Sequence, residues 1–117
     1  MRYGIRFYEL VDGDKPVEIF LEDLKVKNVS LWTKTLAALL KLKEREYHRM
    51  PLTEKIEPGL FSLRVKSQNN ILRILFTFRK EKIIILLHGF IKKSMKIPAK
   101  TFKDSEKTVE RNYINYE

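Results

Sequence analysis

The 117-residue sequence contains no cysteine, which excludes a disulfide framework, a thiolate metal site and a cysteine nucleophile. Long hydrophobic runs are also missing. The longest are of five residues, such as Ile83 to Leu87, and are far too short to cross a bilayer. The N-terminus, Met1-Arg2-Tyr3, has none of the features of a signal peptide. We therefore expect a cytoplasmic protein with no membrane association.

Acidic residues are scarce in one part of the chain only. The net charge is +9, and residues 61–102 contain ten Lys/Arg but a single acidic residue, Glu81. Residues 1–60 hold eleven basic and ten acidic residues, and residues 103–117 hold three and four. Confinement of the excess to one segment predicts a binding face for a polyanion such as nucleic acid. The plain alternative is a solvated cationic face.

The length and a hydrophobic content of 44% indicate a single globular domain spanning residues 1–117. Periodicity and turn residues predict the order β-α-α-β-β-β-α, an α+β fold with helices on one face of a mainly antiparallel sheet. The predicted elements are a strand at 3–10, a helix from Pro16 to Lys27, a helix capped by Ser30 and stopped by Pro51, strands at 61–67, 71–78 and 82–92, and a short helix after Pro98. The second helix is expected to bury Trp32, Leu36, Leu39 and Leu40. Residues 50–60 are expected to form an irregular connection.

The register of the three later strands decides which side chains share a face. We assume that residue 66 lies opposite 71 and residue 78 opposite 83; a slip of one residue would reverse the faces. One face is then entirely apolar and forms the core: Phe61, Leu63, Val65, Leu72, Ile74, Phe76, Phe78, Ile83, Ile85, Leu87 and Ile91. The opposite face contains Ser62, Arg64, Lys66, Ile71, Arg73, Leu75, Thr77, Arg79, Ile84, Leu86, His88, Phe90 and Lys92.

Two arginines meet on the second of these faces. In the assumed register Arg64 lies opposite Arg73, and Arg73 lies opposite His88. Like charges directly across a ladder repel, by a few tenths to about 1 kcal/mol. The arrangement therefore predicts a bound anion, and phosphate suits the forked donors of guanidinium. The alternative is that both arginines extend to solvent or meet Asp/Glu from the helices.

The same residues resemble a known family. The stretch LFSLRVKSQNNILRILFTF, followed by KIIILLHGFIKKSMKIP, is similar to the HigB-like, phage-derived toxin branch of the RelE/ParE superfamily. Those proteins read L-x-x-L-R, then Y-R-x-L-Y, then L-L-H-G-F-x-K-K-[ST]-x-K-x-P. The matching residues are Leu60, Leu63 and Arg64; Arg73 and Leu75; and Leu86, Leu87, His88, Gly89, Phe90, Lys92, Lys93, Ser94, Lys96 and Pro98. Leu72 and Phe76 depart from the pattern, because relatives often carry tyrosines there.

The resemblance implies a RelE-like fold, an antitoxin partner and growth inhibition by mRNA cleavage, usually in the ribosomal A site. In such enzymes the RNA 2′-hydroxyl attacks the adjacent phosphate without a metal or other cofactor. Arg64 and Arg73 would clamp that phosphate, and His88 would act as acid or base because imidazole titrates near neutral pH. Lys92 and Lys93, with Lys96, would stabilise the leaving group or follow the RNA backbone. Lys66 and Arg79 are expected to bind further RNA phosphates.

Two other functions fit the same sequence. A ParE-like toxin on this fold would poison DNA gyrase without cutting RNA, and a non-catalytic protein would only bind RNA or the ribosome. The basic segment predicts an acidic antitoxin, with a helix-turn-helix, that covers residues 61–102 or docks on the helices between Val17 and Tyr47. The two isolated histidines, His48 and His88, do not predict a metal site.

Overall fold

A computed structural model describes residues 2–92. The elements are β1 (Gly4–Phe7), α1 (Pro16–Lys27), α2 (Val29–Leu42), a 3₁₀ turn (Arg45–Tyr47), β2 (Thr53–Glu57), β3 (Leu60–Ser67), β4 (Asn70–Arg79) and β5 (Ile83–Lys92). The sheet order is β1-β5-β4-β3-β2, and every pair is antiparallel except β1 with β5. The predicted α+β class is confirmed, and the architecture is consistent with a RelE-like fold. The helix predicted after Pro98 lies outside the described residues.

The first helix forms where the sequence predicts it. Pro16 occupies its first turn, where a missing N–H costs no helical hydrogen bond, and the helix ends at Lys27. Val17, Leu21 and Leu24 are buried at the expected spacing. No helix among residues 2–92 has the length and apolar character needed to cross a membrane.

The second helix differs from the prediction at its start, its end and its buried side. Its N-cap is Asn28 rather than Ser30, and the Asn28 Oδ1 accepts a hydrogen bond of 3.1 Å from the Leu31 N–H. The helix ends at Leu42, well before Pro51. The buried positions are Leu31, Thr35, Ala38 and Leu42. Leu40, expected in the core, is 58% exposed. The segment has apolar residues around most of its circumference, so periodicity alone did not identify the packed side.

The segment expected to be irregular contains a strand, β2. It pairs with the start of β3, Thr53 opposite Leu63, and has a bulge between Lys55 and Glu57. Gly59 in the connecting turn has φ +83°, a conformation that favours glycine. β2 was missed because its sequence, Thr-Glu-Lys-Ile-Glu, has the polar character of an edge strand.

The predicted register holds for one hairpin and is wrong for the other. Between β3 and β4, Lys66 lies opposite Ile71 as expected. Between β4 and β5, Phe78 lies opposite Ile84 instead of Ile83. The cause is a three-residue turn in which Glu81 and Lys82 both have positive φ, 64° and 58°. The pairing is therefore shifted by one residue at the start of β5.

A bulge in β5 adds a second shift of one residue, which restores the predicted faces but not the predicted partners. Phe76 pairs with Leu86 and Leu75 with His88, so Leu87 is the extra residue. Before the bulge the predicted faces are exchanged: Ile84 and Leu86 pack under the helices. Ile83, Ile85 and Leu87 lie on the opposite side. After the bulge His88, Phe90 and Lys92 return to the predicted face.

Each side of the sheet carries an apolar cluster. The larger one lies under α1 and α2 and includes Leu63, Leu72, Ile74 and Phe76. The side facing away from the helices, called the second face here, buries a smaller cluster of Tyr8, Leu60, Leu75, Ile85 and Leu87. The anion site was predicted around Arg64 and Arg73, and these residues lie beyond the apolar cluster toward one end of the second face.

Candidate anion-binding site on the second face

Arg64 and Arg73 lie directly opposite each other on β3 and β4, as predicted. Directly paired residues point to the same face, so both guanidinium groups belong to the second face. Their exposure differs: Arg64 is half-buried, whereas Arg73 is only 3% exposed. Arg64 is therefore the arginine that a ligand can reach directly, and Arg73 is an almost buried cation beside it.

Glu54 on β2 adds a carboxylate that the sequence did not place. Its Oε2 lies 3.8 Å from Nη1 of Arg73, and its side chain is 43% exposed. An acidic neighbour of Arg73 thus comes from β2, the strand that the sequence did not predict. The buried guanidinium of Arg73 therefore lies next to a carboxylate that solvent can reach.

The predicted position of His88 is corrected by the bulge. Phe90, not His88, lies opposite Arg73, and His88 lies opposite Leu75 in the neighbouring row. The rings of His88 and Phe90 are 6.2 Å apart and inclined by 32°. Phe90 therefore offers an aromatic surface beside the arginines, a role that the sequence did not suggest.

Glu54 and His88 lie at the two ends of one row across the sheet. Glu54 pairs with Ser62, Ser62 with Leu75, and Leu75 with His88. Three spacings of about 4.8 Å separate the backbones of Glu54 and His88 by about 14 Å. Long side chains from both ends can approach a group of phosphate size bound over the adjacent arginine row.

Two lysines flank the arginine row. Lys66 on β3 and Lys92 on β5 both lie opposite Ile71 and are exposed. We call Arg64, Lys66, Arg73 and Lys92 the basic corner. Arg79, also predicted to bind RNA, lies at the other end of β4, roughly 20 Å along the strand from Arg73. Lys93 and Lys96 lie outside the described residues.

His48 has a structural environment. Its Nε2 lies 2.6 Å from the carbonyl oxygen of Leu42, and its ring contacts those of Tyr3 and Phe78. Within residues 2–92, no three His, Asp or Glu side chains are grouped so as to hold a metal ion.

The profile of the phage-derived Gp49-like protein family (DUF891) matches residues 21–110, which include the basic corner and most of the fold. The chain belongs to this family. Gp49-like proteins are toxin-like and fall in the RelE/HigB group, and membership implies an antitoxin partner in general. A comparison with curated proteins finds no significant match.

Two positions where relatives often carry tyrosine, Leu72 and Phe76, do not belong to the second face. Leu72 and Phe76 are fully buried in the cluster under the helices. Tyrosines at these two positions would point away from the basic corner, so their absence removes no group from the candidate site.

Proposed function

We propose that this chain is the toxin of a type II toxin–antitoxin system, of the HigB-like kind, and that it cleaves mRNA at the basic corner. The observation that carries the proposal is the cross-strand pair of Arg64 and Arg73, with Glu54 and His88 at the ends of the adjacent row. The forked donors of guanidinium match the oxygens of a phosphate group. Membership of a toxin-like family supplies the biological context.

The reaction we propose is cyclising cleavage of a phosphodiester. The RNA 2′-oxygen forms a bond to phosphorus, the bond from phosphorus to the 5′-oxygen breaks, and the products are a 2′,3′-cyclic phosphate and a 5′-hydroxyl. One proton leaves the 2′-hydroxyl and one reaches the 5′-oxygen. Such a step needs a proton acceptor, a proton donor and cations around the phosphorane.

The described residues can supply each part. Arg64 contacts the phosphate. The buried Arg73 makes the electrostatic potential at the phosphate more positive. Glu54 accepts the proton of the 2′-hydroxyl and His88 donates to the leaving oxygen. Lys92 stabilises the leaving group, and Phe90 stacks on a base. The family resemblance gives Lys93 and Lys96, outside the described residues, the same role as Lys92. Lys66 binds a neighbouring phosphate.

The same surface suits the partners expected of such a toxin. An acidic antitoxin with a helix-turn-helix would neutralise the basic corner and so exclude RNA. Ribosome-bound mRNA would be the substrate, with the ribosome holding the message in an extended form.

The test is to map RNA 5′ ends after brief induction of the full chain. Ends that can be ligated only after treatment with a polynucleotide kinase carry the 5′-hydroxyl that the proposed chemistry produces. We expect Arg64→Ala and His88→Ala to lose these ends. Arg73→Met, which keeps volume in a buried position, should lose them while remaining folded by circular dichroism. Lys80→Ala is the control, since it removes an exposed cation from the turn beyond the far end of β4 and leaves the basic corner intact.

Growth arrest without new 5′-hydroxyl ends would refute RNA cleavage. Loss of DNA supercoiling activity by purified gyrase in that case would identify the ParE-like alternative. Binding to ribosomes or RNA without any product would identify a non-catalytic binder. Full activity of Arg64→Ala would reject the basic corner as the site.

A further inference from the structure

A groove runs around the edge of the sheet next to the basic corner. β2 pairs with β3 only as far as Leu63, so β3 continues past it from Arg64 to Ser67. α2 lies over this part of β3, and the Lys34 Nζ donates a hydrogen bond of 3.3 Å to the Ser67 hydroxyl. The space between them forms two adjoining cavities of about 320 and 280 Å³.

The groove has an apolar floor and cationic walls. Both cavities are lined by Lys41, Leu52, Arg64 and Lys66. The remaining lining residues are Tyr47 and Pro51 in one cavity, and Lys34, Ala37, Ala38 and Val65 in the other. No acidic side chain lines either cavity among the described residues.

One wall carries an accessible aromatic ring. Tyr47 is 36% exposed, and the Lys41 Nζ lies 5.8 Å from the centre of its ring. An aromatic face beside an ammonium group is the pairing that holds a nucleotide: the base stacks on the ring and the phosphate meets the cation. The combined space is in the range of small-ligand pockets, roughly 300–1,000 Å³.

We infer that this groove is a second RNA subsite, in which Tyr47 stacks a base and Lys34 and Lys41 bind the phosphates next to it. The inference rests on the proposed function, because it extends the RNA path from the scissile phosphate. Arg64 and Lys66 belong to both the groove and the basic corner, so they connect the two. A single strand leaving the second face would turn around the free edge of β3 and enter between β3 and α2.

The groove's shape favours a flexible single strand over a duplex. Its floor accepts a flat, apolar base, which a duplex keeps inside its stack. Its cations lie in a curved track around a sheet edge, and such a track can follow a flexible backbone.

The experiment measures binding of the full chain to a labelled, non-cleavable 2′-O-methyl single-stranded RNA by fluorescence anisotropy at several salt concentrations. We expect Tyr47→Ala to weaken binding by about five-fold or more, and Tyr47→Phe to retain the wild-type affinity because the ring is kept. Lys34→Ala and Lys41→Ala should each weaken binding and reduce the slope of log affinity against log salt concentration by about 0.7, as expected for one phosphate contact on a single strand. Lys80→Ala is the charge-matched control, since Lys80 is an exposed lysine in the turn after β4. It should stay within roughly two-fold of wild type.

Wild-type affinity in Tyr47→Ala and Lys41→Ala, equal losses in Lys80→Ala, or no RNA binding by the wild type would overturn the inference. Loss of antitoxin affinity with RNA affinity unchanged would also overturn it and would assign the groove to the partner. Cleavage is scored separately. If no 5′-hydroxyl ends form but the binding losses occur, the proposed nuclease fails and the groove remains an RNA subsite.

Discussion

Replacing Gly89 with alanine should destabilise the fold through one contact with the helix layer. Gly89 pairs with Ile74 of β4 and faces Phe20 of α1. A Cβ added there would lie 2.6 Å from Cδ2 and 2.8 Å from Cε2 of Phe20. Carbon atoms pack favourably at about 3.5–4.0 Å, so the ring or the helix must move by roughly 1 Å. Overpacking of this kind costs about 1–3 kcal/mol of unfolding free energy.

Gly4→Ala is the matched control. Gly4 is also a strand glycine, yet a Cβ at this position would meet no atom within 4 Å. Its substitution should stabilise the fold by roughly 0.5 kcal/mol, because alanine loses less conformational entropy on folding. The two variants should therefore change the unfolding free energy in opposite directions, although both replace glycine with alanine.

Urea denaturation followed by circular dichroism measures both values. A second test removes the obstacle: in a Phe20→Leu background, Gly89→Ala should cost clearly less than in the wild type, which gives a coupling energy of about 1 kcal/mol. The reasoning is refuted if Gly89→Ala is as stable as Gly4→Ala. It is equally refuted if the cost of Gly89→Ala is unchanged when Phe20 is leucine.

Two further predictions concern polar groups at defined positions. Asn28→Ala should lower the unfolding free energy by about 0.5–2 kcal/mol in a thermal melt, because it removes the side chain that caps α2, and Asn28→Ser should restore most of it. Thr77→Val should raise stability by about 1 kcal/mol in urea, because the buried Thr77 hydroxyl makes no hydrogen bond to the described residues. Thr35→Val should not, because the Thr35 hydroxyl donates to the Leu31 carbonyl at 2.7 Å; equal effects in the two threonine variants would contradict this.

The sequence predicted those parts of the fold that show clear periodicity. α1 was predicted correctly because Pro16 marks its start and Val17, Leu21 and Leu24 recur on one side. The pairing of β3 with β4 was predicted correctly because a short turn joins Ser67 to Asn70. A turn this short allows few alternative registers. These features depend on neighbouring residues, which a sequence displays directly.

β5 was misread for a physical reason. It lies between β1 and β4, and Ile83 to Leu87 bury side chains on both sides of the sheet. A strand that is apolar on both faces has no alternation, so its register cannot be read from its pattern. Neither the three-residue turn nor the bulge can be predicted from a run of apolar residues of this kind.

The candidate site was predicted in part for related reasons. The pairing of Arg64 with Arg73 followed from the correctly predicted hairpin. Glu54 was missed because polar edge strands such as β2 lack a hydrophobic pattern. The burial of Arg73 was missed because burial on the second face depends on chain segments distant in sequence.

The bulge at Leu87 divides β5 into two parts: an apolar part before it and a part after it that carries His88 and Lys92. A regular continuation from Ile84 and Leu86 would place His88, Phe90 and Lys92 under the helices, where a lysine and an imidazole would lose their hydration. The extra residue turns these side chains to the second face and leaves Gly89 facing Phe20. Gly89 thus lets α1 pack closely at the point where its two neighbours, His88 and Phe90, enter the candidate site. A side chain at this position would press on α1 and would also displace the residues on either side of it. We therefore expect Gly89→Ala to reduce the proposed RNA cleavage more than its loss of stability alone would explain.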